Sequence, residues 1–573
     1  MRPRLRHDAY DVGSAEDAAF VVGTEVVRVV GAGAWLRRLV PFLDGSHTLE
    51  GLTTKLTPPR RTAVTRLVDI LADHGVIEDA DRDIPGGPAG AVLNRPHVVL
   101  AGSGRLHAAT LVALQTSGWR LLQAASVPHA TEATPAHLPD HVILHATDEL
   151  SPRAAAKVER AARRSVPVGH AALRAGYGWI GPVGVNADAA GLWSRIDLSA
   201  DRDGPPPSDY AVRHVARQFV RMVERTLDGE QQGPAMWLVH AESLVTTPVR
   251  VLPHLLASPG GAAGPDETVS AVRRMRAGTP VGAEDLDRRV AACVDPVVGI
   301  FRAVGEHDLA QSPLHVTEID VATPTGRLRL RAAARTYADA RRTAALRALA
   351  SYAVRVVDQR RLGPGRTVWG VRLADGEPVR LPATRVFDAS DADLPVGAAA
   401  GCSWAQALEA ALLSYAVADA RRRLAARVDP ATRHVKLDHI EPTTEALWTL
   451  LGGAGSTLRV LDVTGKLGVP VVAVMCGEDI VGCAAGVDQP AATRAALAQA
   501  LLRAQSMWHD DSRYASTPVH VPAADVPTTA AEPVDLVDAF QRDGTVPVVV
   551  PLDHDPAVHA VLPYVLRVVL VDG

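Results

Sequence analysis

The apolar run VVLA leads into Gly102-Ser103-Gly104 and a helical pattern, the place where a phosphate-binding turn would sit. Glycines there let backbone N–H groups approach an anion at a helix N-terminus. The third glycine position holds His107, however, and the next strand ends in Ala124-Ala125 instead of an acid that could hold a ribose. The turn therefore reads as a structural strand–helix connection without a nucleotide. GGAGST at 452–457 lacks the lysine of a phosphate loop, and TGK at 464–466 lacks its glycine lead-in. Metal chemistry has equally little support. Cys293, Cys402, Cys476 and Cys483 form no CxxC pair, and Cys476 and Cys483 read as buried small hydrophobes. His509-Asp510-Asp511 and His554-Asp555 could each hold a cation on paper, but as isolated clusters they read as solvated surface loops.

The elements that would carry these residues fall into three blocks, as a length of 573 residues suggests. Residues 1–82 alternate apolar and polar in AFVVG and EVVRVVG, a hairpin joined at Gly23-Thr24. Three helical patterns follow. The first carries Trp35, Leu36, Leu39, Val40 and Leu43. The second is capped by Thr48 around Leu49–Leu56, and the third starts at Thr57-Pro58 with the stripe Val64, Leu67, Val68 and Leu71. This pattern is a small winged helix. Residues 83–258 alternate strands and helices, with helices expected at Ala154–Arg164 and Asp209–Leu227, an open α/β sheet. Residues 259–573 place strands such as HVTEIDVA and TLRVLDV between Ala-rich helices at Ala338–Val354, Trp404–Ala426 and Ala491–Ser506, an α+β pattern.

Composition narrows the function classes. A net charge of −4 offers no basic field for nucleic acid or anionic lipid. No apolar run is long enough to span a bilayer and the N-terminus has no signal-peptide core, so a soluble, cytoplasmic protein is expected. The long helices of the third block are short of acids. Ala338–Val354 has no carboxylate after Asp339, Trp404–Ala420 has only Glu409 and Asp419, and Ala491–Ser506 has none. Holding ATP with magnesium needs carboxylates, so these helices read as core elements with a solvated outer face.

FLDGSHTLEGL in the first block resembles the PqqD-like recognition module of ribosomal peptide-modifying enzymes. The second block, ending in MWLVHAESLVTTPVRVLPHLLASPG, resembles the ThiF-like domain of thiopeptide-type, azoline-forming cyclodehydratases. The third is similar to a YcaO domain through DARRTAAL, GAAAGCSWAQALEAAL, LDVTGKLGVPVV and GCAAGVDQPAATRAALAQALLRAQS. The resemblance implies a multidomain α/β and α+β chain: a winged-helix leader-recognition module (1–82), an open ThiF-like domain (83–258) and a YcaO-like domain (259–573). It also implies a family reaction in which ATP phosphorylates a hemiorthoamide on the way to thiazoline or oxazoline. The family's helical glutamates would fall on Arg347, Ala350, Ser414 and Val417, its third-helix acid on Leu502, and its arginine on Ser351. The proline-rich tail of active members is not seen at VVLVDG, and the four zinc-binding cysteines that members often carry in the second block are missing.

These departures imply a non-catalytic subunit with no cofactor, no metal and no catalytic residues of its own. It would bind the leader of a precursor peptide and serve a separate, catalytic YcaO protein, pairing as a homodimer or heterodimer through the third block. The leader is expected to add beside Glu25, Val27, Arg28 and Val29 and to meet Val64, Arg66, Leu67, Val68 and Leu71 of the third helical pattern. The alternative is an active cyclodehydratase using displaced acids such as Glu409, Asp419 or Glu478. A ThiF-like adenylating enzyme is disfavoured by His107.

Overall fold

Alternation of apolar residues over Ala18–Val22 and Glu25–Val29 produces two antiparallel strands with Val22 opposite Glu25, the expected hairpin. They belong to a computed structural model of the chain, which describes all residues except 7–8, 12–17, 23–24, 31–35, 37, 82–95, 126–140, 163–164, 175, 186–187, 197–205, 231–235, 250–251, 253, 256–259, 324–325, 388–393, 426–432, 436, 438–440, 453–457, 478, 512–533 and 573. Gly23-Thr24, Trp35 and Glu478 thus lie outside the described residues. The chain divides into two units, Met1–Val251 and Leu252–Gly573.

The first unit opens with β1 (Pro3–Leu5), β2 (Ala9–Asp11), β3 (Ala18–Val22) and β4 (Glu25–Val29). β2 adds to the far side of β3, giving the order β2-β3-β4 and leaving β4 at an edge. Leu36, Arg38 and Leu39 are helical, and Val40–Phe42 follows as a short 3-10 turn within the span of the expected first helix. Thr48 caps α1 (Leu49–Thr53), its hydroxyl accepting from the Gly51 amide at 3.1 Å. α2 (Pro58–Asp73) starts with proline at its first position, where no helical hydrogen bond is lost, and gives way at Gly75, whose φ of +66° few other residues adopt. β5 (Ile77–Asp79) returns to pair with β1. Phe20, Leu36, Leu43, Val64, Val68 and Leu71 meet in the interior between sheet and helices.

The rest of this unit comprises β6 (His97–Ser103), α3 (Arg105–Thr116), β7 (Leu121–Ala125), β8 (His141–Thr147), α4 (Pro152–Ala161), β9 (Val168–Arg174), β10 (Tyr177–Gly184), α5 (Ala189–Ser194), α6 (Asp209–Leu227), β11 (Met236–His240) and β12 (Thr246–Val249). One seven-stranded sheet runs β12-β11-β10-β9-β8-β6-β7, parallel from β9 to β7 and antiparallel beyond β9. Apolar residues of α3 and α6 cover one face. Val158 of α4 packs with Val99 and Ile143 on the other. α6 has the bounds its period implied, and α4 ends earlier than expected.

The second unit contains α7 (Pro265–Ala277), α8 (Ala283–Ala291), β13 (Phe301–Gly305), β14 (His315–Thr323), β15 (Gly326–Ala334), α9 (Tyr337–Arg355), β16 (Thr367–Arg372), β17 (Pro378–Pro382), β18 (Ala398–Ala400), α10 (Trp404–Ala425), β19 (Arg433–His434), α11 (Pro442–Gly452), β20 (Leu458–Asp462), β21 (Val471–Cys476), β22 (Asp479–Ala485), α12 (Gln489–Trp508), α13 (Val534–Arg542), β23 (Thr545–Pro551), α14 (Pro556–Val561) and β24 (Val565–Asp572). Its sheets are ordered β13-β14-β15, β17-β16-β23-β24-β18 and β19-β20-β21-β22. The expected solvated face is narrow on α9, where Ala348–Val354 are buried without interruption. Small side chains allow such close embedding: a Cβ on Gly482 of β22 would lie 2.2 Å from the Ala496 carbonyl oxygen of α12.

Candidate functional site

The glycine turn of β6 holds an anion supplied by the chain itself. The Arg105 and Leu106 amides, the first two of α3, donate to Asp148 Oδ2 and Oδ1, each at 2.7 Å. Gly102 and Gly104 both have positive φ, and a Cβ on Gly104 would sit 2.5 Å from the Asp148 carboxyl group. These glycines therefore let the strand–helix turn close on a carboxylate where a nucleotide phosphate would otherwise bind. That geometry agrees with the structural reading of the turn and gives it a cause absent from the local sequence.

The same domain buries a cluster that sequence reasoning missed. His145 on β8 stands directly opposite His170 on β9, with their Nδ1 atoms 3.2 Å apart and both residues fully buried. One nitrogen must donate and the other accept, which fixes complementary tautomers. His170 Nε2 lies 3.5 Å from Glu159 Oε1, and Glu159 accepts from the Ala189 amide at 2.6 Å. Burial pushes His145 down to about 4, with the His107 charge adding to the effect, and pushes Glu159 up to about 7. A single histidine interrupting each of two apolar strands, VILHAT and VGHAAL, was the available signal.

In the second unit, the positions of interest on α9, α10 and α12 are committed to packing and local hydrogen bonds. Arg347 Nη1 donates to the Arg331 carbonyl at 2.9 Å. Ala350 is fully buried, and the Ser351 hydroxyl oxygen and carbonyl both accept from Arg355 Nη1. Ser414 Oγ accepts from the Gly397 amide at 2.8 Å and donates to the Ala411 carbonyl at 2.7 Å. Val417 packs against the large core, and Leu502 is buried in the α12 cluster. Gln505, fully buried, accepts from the Leu314 amide and donates to the Ala310 and Leu314 carbonyls. As for displaced acids, Asp419 is held by Arg423 at 2.9 Å and Arg422 at 3.5 Å. Glu409 is half-buried, and desolvation with the nearby Asp488 charge raises its carboxyl above the usual range. Among the described residues, no three His, Cys, Asp or Glu side chains are grouped so as to hold a metal ion.

One surface assignment is corrected. His554 and Asp555 are buried, not solvated. Tyr352 OH donates to Asp555 Oδ2 at 2.7 Å, the other carboxylate oxygen accepts from the Ala557 amide at the start of α14, and His554 Nδ1 accepts from the Asp358 amide. The carboxylate serves as a helix cap inside the core. Cys483 is buried as expected, with its thiol pushed up by desolvation, whereas Cys476 is half-buried.

In the small module, β4 carries Glu25, Val27, Arg28 and Val29, and β3 is its sole bonded neighbour among the described residues. Val27, Val64, Leu67, Val68 and Leu71 are 0–9% exposed and belong to the module's own interior. They position the β4 edge against α2 from within. On the outer face of α2, Arg66 and Ile70 are exposed, four residues apart and so on one side of the helix.

Residues 326–542 match the family model described as "YcaO cyclodehydratase, ATP-ad Mg2+-binding". The arginine, alanine, serine, valine and leucine side chains at the positions above do not fit the magnesium-bound nucleotide that this description implies, since magnesium takes oxygen ligands, chiefly carboxylate, phosphate and water. No curated protein sequence matches the chain. Among solved structures, "Heterocyclase in complex with substrate and Cofactor" aligns over 100% of this chain and 94% of its own, at 15% identity and TM-score 0.56. The heterocyclase TruD aligns over 99% and 94%, at 15% identity and TM-score 0.54. The chain is thus a multidomain α/β protein with a TruD-like heterocyclase fold and a YcaO domain in its C-terminal half.

Proposed function

We propose that this chain is the leader-peptide-binding, partner-activating subunit of an azoline-forming cyclodehydratase, which holds a ribosomally made precursor for a separate catalytic YcaO protein. The observation that carries this reading is the state of five positions, Arg347, Ala350, Ser414, Val417 and Leu502, whose side chains are cationic, neutral or apolar and packed or hydrogen-bonded within the protein. Cations and hydrocarbon cannot ligate magnesium, and a guanidinium beside it would repel it. The leader would add as a strand along β4, its backbone N–H and C=O groups pairing with those of the edge. Its side chains would then reach the outer face of α2, where Arg66 meets an acid and Ile70 an apolar residue. Holding the leader here places the core peptide near the partner's site at roughly millimolar effective concentration for a short linker. The third block would supply the pairing surface.

A second reading, an active ATP-dependent cyclodehydratase using Glu409 or Asp419, draws on the family description matched by residues 326–542. Calorimetry of the full chain with millimolar magnesium-ATP, alongside incubation with precursor and ATP, separates the two. The scaffold reading expects no heat of binding and ring formation only when the partner is added. Turnover by the chain alone establishes the second reading.

A further inference from the structure

The buried histidine pair of the first unit serves neither the leader edge nor the closure of the glycine turn. Its surroundings come from four elements: Glu159 from α4, His145 from β8, His170 from β9 and Trp193 from α5. Both imidazoles and the indole are fully buried. Trp193 packs on both rings, its centroid 6.2 Å from that of His145 and 5.6 Å from that of His170. Its Nε1 donates to the Gly181 carbonyl at 3.2 Å, which fixes the indole in place. On the other side of His145 stands Ala101 of β6, so that strand offers it no polar side chain. The remaining charges that act on the cluster are those of His107 on α3 and of Asp188, the residue ahead of α5.

The hydrogen bonding of this pair is incomplete, and the position of one proton decides how it is completed. The two Nδ1 atoms are 3.2 Å apart, yet Nε2 of each ring is buried without a hydrogen-bond partner among the described residues. His170 Nε2 faces Glu159 Oε1 at 3.5 Å, and the same oxygen accepts from the Ala189 amide at 2.6 Å. A carboxyl movement of about half an ångström brings the Glu159–His170 contact to ordinary hydrogen-bond length. Which atom donates there depends on the carboxyl group: a protonated Glu159 donates to Nε2, and a carboxylate accepts from it. Burial keeps both rings neutral near pH 7, so each carries a single proton and its two nitrogens have opposite roles. The role of His170 Nε2 therefore sets the role of its Nδ1, and the Nδ1–Nδ1 contact passes that choice to His145.

We propose that Glu159, His170 and His145 form a proton-linked tautomer switch, in which loss of one proton from the carboxyl group reverses both imidazoles. In the protonated state Glu159 Oε1–H donates to His170 Nε2, His170 Nδ1–H donates to His145 Nδ1, and His145 carries its proton on Nε2. In the ionised state His170 Nε2–H donates to the carboxylate, His145 Nδ1–H donates to His170 Nδ1, and His145 Nε2 is bare. Each ring keeps one proton, one proton goes to water, and the cluster charge changes from 0 to −1. Desolvation raises the Glu159 carboxyl to about 7, which puts the reversal near neutral pH. The switch does not depend on the leader reading. The test uses the full-length chain labelled with 15N-histidine, whose ring shifts report which nitrogen bears the proton. Infrared spectroscopy follows the C=O stretch of a protonated carboxyl group over the same range, about pH 5.5 to 8.5. The expected result is a carboxyl band present in wild type at about pH 6, missing from Glu159→Gln, and lost around pH 7. His145 and His170 exchange tautomers over the same interval, whereas Glu159→Gln, whose amide does not titrate, holds one tautomer pair throughout. His145→Asn and His170→Asn assign the signals; should a variant fail to fold, the short 15N–15N distance between the Nδ1 atoms identifies the pair in wild type. Absence of a Glu159-dependent carboxyl band, tautomers that stay fixed while the band disappears, or equal reversal in Glu159→Gln overturns the proposal. So does a proton on both nitrogens of either ring within this range.

Discussion

Removal of the Asp148 carboxylate tests whether the glycine turn is closed by its own anion. Asp148 accepts two amide hydrogen bonds at 2.7 Å from the first turn of α3, and its side chain is 36% exposed. An isolated pair of charge-assisted bonds would contribute several kcal/mol, but solvent screening at this exposure brings the loss in Asp148→Ala to about 1–2 kcal/mol, the usual range for a lost N-terminal cap. Asp148→Asn keeps one oxygen and should lose about half of that. Because the chain has two units and will not unfold in one step, the local readout is hydrogen–deuterium exchange of peptides covering 101–116. A loss of 1–2 kcal/mol corresponds to exchange faster by about 5–30-fold in Asp148→Ala. Inorganic phosphate should then restore protection in the variant by occupying the vacated amides, while leaving wild type unchanged. At ten times its dissociation constant, the recovery would be about 1.4 kcal/mol. Unchanged exchange in Asp148→Ala, or equal protection of wild type by phosphate, would refute the reasoning.

Three further outcomes are expected. Leu67→Ala in the module interior should cost about 2–4 kcal/mol and melt the module, while Arg66→Glu on the exposed face should leave the fold intact and weaken leader binding; thermal melts and anisotropy distinguish them. A fold lowered equally by both would remove Arg66 from the binding face. In the first unit, burial holds His145 and His214 near 4, so their contribution is complete above the free imidazole value and is lost as pH falls from about 6.5 toward 4. Glu159, held near 7, acts oppositely: its contribution is complete below the ordinary carboxyl value and is lost as pH rises to about 7. Each shift is on the order of 3 kcal/mol at its limit, so two histidines outweigh one glutamate and the melting temperature of this unit should fall from pH 7 to pH 4.5. A rise over that interval would show that the histidines are charged in the fold. Finally, Ser414→Glu should destabilise the fold without creating magnesium affinity, because the hydroxyl bonds to Gly397 and Ala411 are lost and no group of three His, Cys, Asp or Glu side chains exists among the described residues for it to extend; a gain in magnesium-dependent ATP affinity by calorimetry would contradict this.

What the sequence by itself determined was local and periodic. Alternation set the β3–β4 hairpin, and the 3.6-residue apolar stripe placed α6 at Asp209–Leu227, because these signals depend on neighbours within one element. β1, β2 and β5 are three residues each, too short to show a period, and exist because a partner strand holds them. The identities at Arg347, Ala350, Ser414, Val417 and Leu502 were also legible, since the type of side chain alone decides whether it can ligate a cation. Burial and pairing were decided by tertiary structure. Leu67 and its stripe proved to be interior, leaving Arg66 and Ile70 as the outward face of α2. His554-Asp555 became core through Tyr352, some 200 residues away, and His145 met His170 only through strand register. The glycine turn is closed by Asp148, 43 residues beyond Arg105. A carboxylate's ligand is set by distance in space, and sequence spacing carries no such distance once the chain has crossed a sheet.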